Sequence, residues 1–481
     1  MRSARTLAVL LMCGTGAAGM GQYWAPLQPL AKLHSQVNVV YGDSVWDKLL
    51  VGGNFKWAVV GADSIYTAGA AMWDGATWSA LPAPVGVCGG GNICSNMYEF
   101  MRIDGRLHAN GAFVFWDADS VVNESFARWN EQTNGWERLP CVNPGVGGMA
   151  TLVPHFPQDT MYLTGYRGTL CGYDSSCVFA YVGDTIVPSP YRAPVLHHGP
   201  TSYVGFAFKY QGVPYITGLF FDPLQGQHYS FMRWNGAAWE AVPGWSTLDP
   251  IKDVLIKDGW LYVCGWFFEA GGAPGNMVAR FNGTQWQTLG SGLLAALPAS
   301  TQGVALDLHA WNGDLYVAGQ FNYAGGVPAE NAARWDGSRW CGLGGSYAMQ
   351  TPGGKANGFT VWRDELYMSG GFITIDGDTL WHVARWLGQV ENCSAPVAVM
   401  EAAEDDEAPW LIPLEPGQWR LRLPAGVVGQ LAVWDAQGRL VLMQSHARDG
   451  HVVDLAAAAP GVYLARLEEA NGAVRSVKAL R

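Results

Sequence analysis

Short apolar runs that end in a Gly-x-Phe step recur along most of the chain. The steps begin at Gly53, Gly111, Gly218, Gly265, Gly319 and Gly370, and a weaker copy at Gly165 has Arg167 in place of the Phe. Their spacing stays near roughly 50 residues, a period that indicates stacked copies of one supersecondary unit. The pattern therefore predicts a repeat protein with seven units.

The units also share a second apolar segment and a turn. In the sixth unit, Leu315-Tyr316-Val317 leads into the step, Ala333-Arg334-Trp335 follows it, and Asp336-Gly337 comes before Trp340. A short apolar run bounded by Gly suits a strand that is buried on both faces. Asp-Gly or Asn-Gly between apolar runs predicts a type I′ hairpin, with positive φ at both turn residues. With a further apolar stretch upstream, each unit has four strands, which is one blade of a β-propeller.

The two ends of the repeat array complement each other. The seventh unit contains Ala384-Arg385-Trp386 but lacks the Trp-x-x-Leu strand that should follow, whereas Trp24-Ala25-Pro26-Leu27 stands near the start of the chain. An N-terminal strand that completes the last blade would cover the edges left open in a linear array. We therefore predict an all-β fold: a seven-bladed β-propeller over residues 22–394, closed by an N-terminal strand, and a small C-terminal β-sandwich.

Composition and the first residues indicate an exported protein. The 481 residues include 62 Gly and 23 Trp, only 14% are charged, and the net charge of −11 argues against a nucleic-acid partner. Residues 1–21 have the basic start, short apolar core and small residues of a signal peptide. Since a membrane span needs roughly 20 apolar residues, we expect no transmembrane segment in the mature chain. The expected location is secreted, or attached to the outer-membrane surface, after passage through the periplasm.

Export permits disulfides. The candidate pairs are Cys88 with Cys94 and Cys171 with Cys177, each of which flanks a short loop. Cys264 stands where sister units have small residues, so we expect a buried free thiol there. The pairing of Cys141, Cys341 and Cys393 stays open, and Cys341 with Cys393 is one possibility.

The composition changes after residue 394. Residues 395–410 are predicted to be an acidic linker, and short alternating apolar runs over residues 411–481 predict the β-sandwich. Its characteristic positions are Asp435, Gly438, Arg439, Gly461, Tyr463 and Lys478. By their order, spacing and terminal position, this segment resembles the C-terminal sorting domain of the type IX secretion system. The usual Pro-Asn-Pro opening is replaced by Ile412-Pro413-Leu414-Glu415-Pro416.

That resemblance implies a Bacteroidota-type bacterium, the type IX secretion machinery as a partner, and removal of the domain at the cell surface. The alternative is an ordinary terminal β-domain that binds carbohydrate. The repeats resemble bacterial kelch-like propellers, a likeness that implies architecture and not an activity.

Candidate chemical groups are sparse. Galactose oxidase shares the kelch scaffold and holds copper with two Tyr and two His, whereas His197-His198 is the only His cluster in this chain. Asp117 with Asp119 and Asp376 with Asp378 alternate as hard cations prefer, but turn formation explains both pairs more simply. We therefore predict no catalytic residues, no cofactor and no metal.

One face of the predicted ring is the expected site of function. The second-to-third strand loops and the links between blades share that face, and they hold most of the length variation, as in residues 82–97, 140–160, 188–200, 293–302 and 344–356. Binding sites concentrate on variable loops over a rigid scaffold. The repeated Arg128, Arg233, Arg280, Arg334 and Arg385 are interpreted as framework residues that bond neighbouring backbone, and not as an anion-binding ring.

Two function hypotheses follow. The first is a secreted or cell-surface binding module for an extracellular protein or glycan, which is not an enzyme. The alternative is an extracellular polysaccharide-active enzyme, a hydrolase, lyase or oxidase, that uses the same face. The ligand or substrate is unknown from the sequence.

Overall fold

The computed structural model describes residues 23–81, 96–117, 120–139, 161–164, 178–182, 185–188, 203–222, 226–270, 273–295, 303–344, 347–351, 354–388, 411–415, 418–424, 426–435, 440–455, 462–469 and 474–480. Every regular element in these ranges is a β-strand, and the strands form small antiparallel sheets. Within the same ranges, no helix is long and apolar enough to span a membrane. The predicted all-β class is therefore confirmed, and the arrangement of sheets is propeller-like.

Seven sheets repeat along the part of the chain that the structure describes, and we number them in chain order. Sheet 1 contains Val37–Asp43, Lys48–Gly53, Ala70–Trp73 and Trp78–Ala80. Sheet 2 contains Asn96–Ile103, Arg106–Asp117, Ser120–Asn130 and Gly135–Arg138, and sheet 3 contains Met161–Thr164, Val178–Val182 and Thr185–Pro188. Sheet 4 contains Tyr203–Tyr210, Val213–Asp222, Gln227–Trp234 and Trp239–Ala241, and sheet 5 contains Ile251–Lys257, Trp260–Gly265, Val278–Phe281 and Trp286–Thr288. Sheet 6 contains Val304–Trp311, Asp314–Gln320, Ala332–Trp335 and Trp340–Gly342.

Sheet 7 draws its outer strand from the start of the chain. It contains Ala356–Trp362, Glu365–Gly370 and Val383–Trp386, and its fourth strand is Trp24–Ala25. Trp24 pairs with Trp386 and Ala25 with Arg385. The strand pairing predicted from the two ends of the repeat array is thus present.

The Gly-x-Phe step is explained by close backbone approach and by burial. A Cβ on Gly265, Gly319 or Gly370 would lie closer than 3.0 Å to a carbonyl oxygen at the start of the first strand, a separation that real Cβ atoms do not show. The Phe side chain of each of these steps is buried in the core. The step also joins the two ends of the connection between the second and third strands by hydrogen bonds. In sheet 5, Gly265 N donates to Met277 O (3.0 Å) and Met277 N donates to Phe267 O (2.7 Å).

The prediction of type I′ turns was wrong for the third-to-fourth hairpins. Four residues separate Trp73 from Trp78, and only Gly75 among them has positive φ. Asp74 Oδ1 instead accepts hydrogen bonds from Ala76 N (2.9 Å) and Thr77 N (2.7 Å), so its side chain caps the loop. Two consecutive residues with positive φ occur in the first-to-second turns, as at Asp258 and Gly259, where two residues connect the strands.

Small hairpins within the second-to-third connections were missed. Beside sheets 1, 6 and 7 they pair with short strands that precede the first strand of the sheet, because each connection folds back over the end of its own sheet. The elements are Ala31–Leu33, Trp57–Val60 and Asp63–Tyr66 beside sheet 1, Leu293–Leu294, Tyr323–Ala324 and Val327–Pro328 beside sheet 6, and Tyr347–Met349, Phe372–Ile375 and Asp378–Thr379 beside sheet 7. Beside sheet 5, Glu269–Ala270 and Ala273–Pro274 form a two-stranded sheet of their own.

The apolar core lies between consecutive sheets. Separate clusters join sheets 1 and 2, 3 and 4, 4 and 5, 5 and 6, 6 and 7, and 7 and 1. A repeated hydrogen bond adds to this packing, in which a fourth-strand Trp indole donates to a carbonyl just after the fourth strand of the preceding sheet. The pairs are Trp24 to Leu343 (2.6 Å), Trp78 to Pro29 (2.9 Å), Trp286 to Pro243 (2.9 Å) and Trp340 to Leu289 (2.7 Å).

The C-terminal segment folds around a core of its own. One sheet contains Leu411–Glu415, Gln418–Leu421 and Val452–Asp454, and the other contains Val428–Asp435, Leu440–Arg448, Val462–Glu469 and Val474–Leu480. Trp419 and Val453 from the first sheet and Leu431 and Leu467 from the second belong to one buried cluster. Two sheets that share a core in this way pack face to face.

Candidate functional site

Sheets 1 to 7 have two different ends. Neighbouring strands are antiparallel, so the first-to-second and third-to-fourth turns share one end, which we call the turn face. The second-to-third connections and the starts of the first strands share the other end, which we call the connection face. Much of the variable loop sequence predicted for this face lies outside the described residues.

Exposed aromatic side chains stand on the connection face. Trp57 and Tyr66 belong to the hairpin beside sheet 1, pack edge to face at 5.0 Å, and are 41% and 53% exposed. Trp266 and Phe268, which follow the second strand of sheet 5, are 41% and 48% exposed. Amphipathic rings left open in this way are typical of surfaces that bind a partner.

Two carboxyl groups stand in the first strands of sheets 5 and 6, where Asp253 is buried and Asp307 is half-buried. Asp253 accepts hydrogen bonds from Leu308 N (2.8 Å) and Val254 N (2.8 Å), and Asp307 accepts one from Phe359 N (3.0 Å). Each carboxyl thus satisfies an N–H on the open edge of the first strand of the next sheet. Burial raises the pKa of Asp307 to about 7, and burial together with the nearby Asp307 raises the pKa of Asp253 well above its usual range.

A β-bulge interrupts the first strand at the connection face in several sheets. In sheets 1 and 7 the bulged residue is an Asn whose amide bonds the next sheet: Asn38 Nδ2 donates to Met97 O (2.9 Å) and Asn357 Nδ2 donates to Val37 O (2.7 Å). In sheet 5 the bulged residue is Lys252. The bulged position therefore carries an Asn that bonds the neighbouring sheet in sheets 1 and 7, and a lysine in sheet 5.

Two lysines, Lys252 and Lys355, stand at the connection-face end of the first strands of sheets 5 and 7. Both are half-buried, and neither has a hydrogen bond or ion pair from its ammonium group to any residue in the described ranges. Burial lowers the pKa of both lysines, and the charge of Lys355 lowers the pKa of Lys252 further. Lys252 Nζ lies 5.1 Å from the centre of the exposed Trp266 ring.

The repeated arginines are framework residues, although their closest partners differ from the prediction. Each lies opposite a second-strand residue, as Arg280 does opposite Tyr262 and Arg385 opposite Tyr367. Arg233 donates to Gly283 O (3.4 Å) of the next sheet, as predicted. The shorter bonds go to side chains of the same sheet, because carboxylates on adjacent strands lie within reach. The pairs include Arg128 with Glu137 (2.6 Å), Arg233 with Glu240 (2.8 Å), Arg334 with Asp314 (2.6 Å) and Arg385 with Glu365 (3.0 Å).

Several predicted candidates fall at turns or outside the described residues. Asp376 and Gly377 both have positive φ between the paired Ile375 and Asp378, which is the turn role that the sequence favoured. His197, His198 and Asp119 lie outside the described residues, and so does the side chain of Asp117. Among the residues that are described, no three His, Cys, Asp or Glu side chains could hold a metal ion together.

The cysteine predictions are tested in part. Cys264 is a buried free thiol, as predicted. Cys341 is disulfide-bonded, and Cys393, which the sequence offered as its partner, lies outside the described residues. The predicted pairs Cys88 with Cys94 and Cys171 with Cys177 also lie outside them, as does Cys141.

The sorting-motif residues occupy one sheet of the C-terminal segment where they are described. Tyr463 is buried in its core and pairs with Asp435, and Lys478 pairs with Leu464 on the edge strand. Gly438, Arg439 and Gly461 lie outside the described residues.

Sequence reasoning missed Lys252, Lys355, Asp253 and Asp307. One signal was available, since Trp266 is the only aromatic residue at the middle position of a Gly-x-Phe step. Nothing in a single sequence marks a β-bulge, and the bulge is what distinguishes Lys252 from the lysines elsewhere in the chain.

Comparisons with known proteins give only distant likenesses. No protein-family model and no curated protein matches the chain. Similar solved structures include an extracellular domain assigned to a hybrid two-component system of B. thetaiotaomicron, with 9% identity and a TM-score of 0.40, over 95% of this chain and 59% of that one. An extracellular domain assigned to a one-component system of the same organism has 8% identity and a TM-score of 0.20, over 95% and 99% of the two chains.

A GH32 β-fructofuranosidase of Bombyx mori has 12% identity and a TM-score of 0.22, over 79% of this chain and 78% of that one. The chain thus spans less than two thirds of the length of the first of these structures. Likenesses this distant add no argument about activity, so the propeller-like all-β fold rests on the strand order and pairing described above.

Proposed function

We propose that sheets 1 to 7 are the blades of a closed seven-bladed β-propeller. Contacts between sheets 7 and 1 support closure: Trp78 Nε1 donates to Pro29 O (2.9 Å), Asn357 Nδ2 to Val37 O (2.7 Å) and Gly42 N to Thr360 Oγ1 (3.0 Å). The same kinds of bond and apolar cluster join sheets that follow each other in the chain. A ring closed by its own N-terminal strand leaves the loops of the connection face on a rigid base.

The function that this geometry supports best is a secreted or cell-surface binding module for an extracellular glycan or protein. The observation that carries the proposal is the contrast within the connection face. Trp266 is exposed, and the half-buried Lys252 and Lys355 make no hydrogen bond or ion pair in the described ranges, whereas the buried Asp253 and the half-buried Asp307 accept backbone hydrogen bonds. Polar groups without partners suit ligand binding, and carboxyls that bond the backbone suit the framework.

Export through the type IX system remains part of the proposal. Its basis is the motif of residues 435–478 behind an acidic linker and the basic, apolar start of the chain. On this account the C-terminal segment serves as an address and the propeller is the working part of the mature protein.

A polysaccharide-active enzyme remains the second candidate, and one observation favours it. The charge of Glu99 contributes to the raised pKa of Asp253, so carboxyl groups of sheets 2, 5 and 6 influence one another near the first strands. Pairs of carboxyls with separated pKa values can act as general acid and base. That role requires access to the carboxyl oxygens, which the backbone hydrogen bonds of Asp253 and Asp307 oppose.

The test is binding to arrays of extracellular polysaccharides and glycans with matched aromatic variants. Trp266→Ala on the connection face should weaken binding at least about tenfold, as expected for loss of a central aromatic contact. Trp260→Ala removes a tryptophan at the opposite end of the same strand and should leave binding unchanged. Loss of binding only in Trp260→Ala would show that the ligand binds at the turn face and not at the connection face. Release of shortened products from a bound glycan would show that the protein is a polysaccharide-active enzyme.

A further inference from the structure

We propose that Lys252, Lys355 and Trp266 form a subsite for a carboxylate-bearing sugar of an acidic extracellular polysaccharide. The inference rests on the proposed binding function and assigns its ligand class. The sugar ring would pack on Trp266, and its carboxylate would be held by the two lysine ammonium groups.

The position of Lys252 distinguishes it from a surface lysine. It occupies the first-strand bulge that Asn38 and Asn357 occupy in sheets 1 and 7, where the amide bonds the neighbouring sheet. Lys252 makes no such bond in the described ranges, although it is half-buried. An ammonium group held at a framework position without a framework partner has donors available for an anionic ligand.

The second cation strengthens the case for an anion. Lys355 directly precedes the first strand of sheet 7, at the same end as Lys252 in sheet 5, and its carbonyl accepts a hydrogen bond from Gly371 N (2.9 Å). Two like charges that are both half-buried repel each other and lose hydration. An anion placed between them relieves both costs, and a uronate carboxylate has two oxygens for the two ammonium groups.

The aromatic group favours a sugar over a small anion. Trp266 replaces the Asn54, Gln320 or Gly371 found at the same step in sheets 1, 6 and 7, and it is 41% exposed. Its backbone is fixed, because Trp266 N donates to Pro250 O (3.2 Å) and the adjacent Phe267 is buried. Lys252 Nζ lies over the ring at 5.1 Å, so an aromatic surface and a cation are presented together.

Charge complementarity also points to a localised site. The chain carries a net charge of −11, so its overall charge does not attract polyanions. Binding of an acidic polysaccharide therefore requires a local cationic site, and the Lys252–Lys355 pair supplies one beside an aromatic ring.

The experiment is calorimetric titration of the full chain with defined oligogalacturonate and oligoalginate, and with fully methyl-esterified oligogalacturonate as the neutral counterpart. We expect the acidic probes to bind at least about tenfold more tightly than the ester, with affinity falling as salt rises. Lys252→Met and Lys355→Met should each weaken acidic binding about tenfold, and Lys252→Arg should retain most of it. Lys257→Met is the matched control, since Lys257 ends the same strand at the turn face and pairs with Asp258.

The outcomes separate this inference from the broader function. If neither acidic probe binds, or if the ester binds equally well, the ligand class is wrong. If a neutral glycan or a protein binds, and Trp266→Ala weakens that binding while Lys252→Met does not, the connection face is still the binding surface but the acidic subsite is refuted. Thermal unfolding of each variant verifies folding, and Lys252→Arg keeps the test decisive if a Met variant does not fold.

Discussion

Removal of the Trp24 side chain tests the seam at which the N-terminal strand joins sheet 7. Trp24 is almost fully buried, its ring lies 4.9 Å from that of Trp386 and 6.4 Å from that of Phe359, and its indole donates to Leu343 O at 2.6 Å. Trp24→Ala removes the packing of sheets 6 and 7 on this ring. A buried Trp to Ala change costs about 3–5 kcal/mol in the free energy of unfolding, which is a large part of the total stability of a typical domain.

A second variant separates packing from hydrogen bonding. Trp24→Phe keeps an aromatic ring but removes the indole N–H. Leu343 O also accepts a hydrogen bond from the Tyr347 hydroxyl (3.2 Å), so the carbonyl keeps a partner in this variant. The hydrogen-bond contribution should therefore stay at the low end of its usual range, about 0.5 kcal/mol.

The assay is urea unfolding followed by circular dichroism, together with amide hydrogen exchange at the seam. Leu387 N donates to Tyr23 O (2.8 Å), so exchange of this amide reports the N-terminal strand directly. Trp57→Ala is the control, because Trp57 is an exposed tryptophan on the hairpin beside sheet 1 and should cost less than about 1 kcal/mol. A stabilising role for Trp24 at the seam is refuted if Trp24→Ala lowers the free energy of unfolding no more than Trp57→Ala does. It is also refuted if the Leu387 amide exchanges equally fast in the wild type and in Trp24→Ala.

Three further predictions concern pH and export. Burial raises the pKa of Asp307 to about 7, so the folded state binds a proton more readily than the unfolded state and wild-type stability is lost as pH rises from about 4 to about 7. Asp307→Asn should therefore gain stability relative to wild type over that window, by up to about 1.4 kcal/mol per pH unit, and equal pH dependence of the two proteins would refute it. Burial lowers the pKa of His382 to about 4, so wild-type stability is lost as pH falls from about 6.5 towards 4. Asn is the residue at the same position in sheet 6, so His382→Asn should reduce this loss of stability at low pH when the free energy of unfolding is measured between pH 4 and 7. If the variant loses as much stability at low pH as the wild type, the imidazole of His382 is not the cause. Deletion of residues 474–481 should trap a folded propeller in the periplasm, and an intact mass of the surface-released protein that still includes Tyr463 and Arg481 would show that the C-terminal domain is not a removable address.

The sequence was most informative where the backbone demands one residue type. The Gly-x-Phe step marks places where a Cβ at Gly265 or Gly370 would meet the first strand and where the Phe fills the core. Both constraints recur at the described steps of sheets 1, 5, 6 and 7, so the repeat and the N-terminal outer strand could be predicted from spacing.

Turn geometry and the candidate site were less predictable. Asp-Gly pairs mark turns, but the side-chain hydrogen bonds of Asp74 select a longer loop than the type I′ turn that the dipeptide suggests. Lys252 looks like any strand lysine until the β-bulge and the exposed Trp266 ring place it at the end of sheet 5. Contacts between residues far apart in sequence, such as Asp307 with Phe359 N, leave no local pattern.

Hydrogen–deuterium exchange with saturating oligogalacturonate shows whether the connection face is the binding surface. We expect slower exchange in peptides that cover residues 250–254, 265–270 and 354–358, which surround Lys252, Trp266 and Lys355. Peptides over the turn-face residues 258–260 and 312–314 should exchange at the same rate with and without the probe. Protection confined to the turn face, or no change in any propeller peptide at saturation, would show that the ligand does not bind at the connection face.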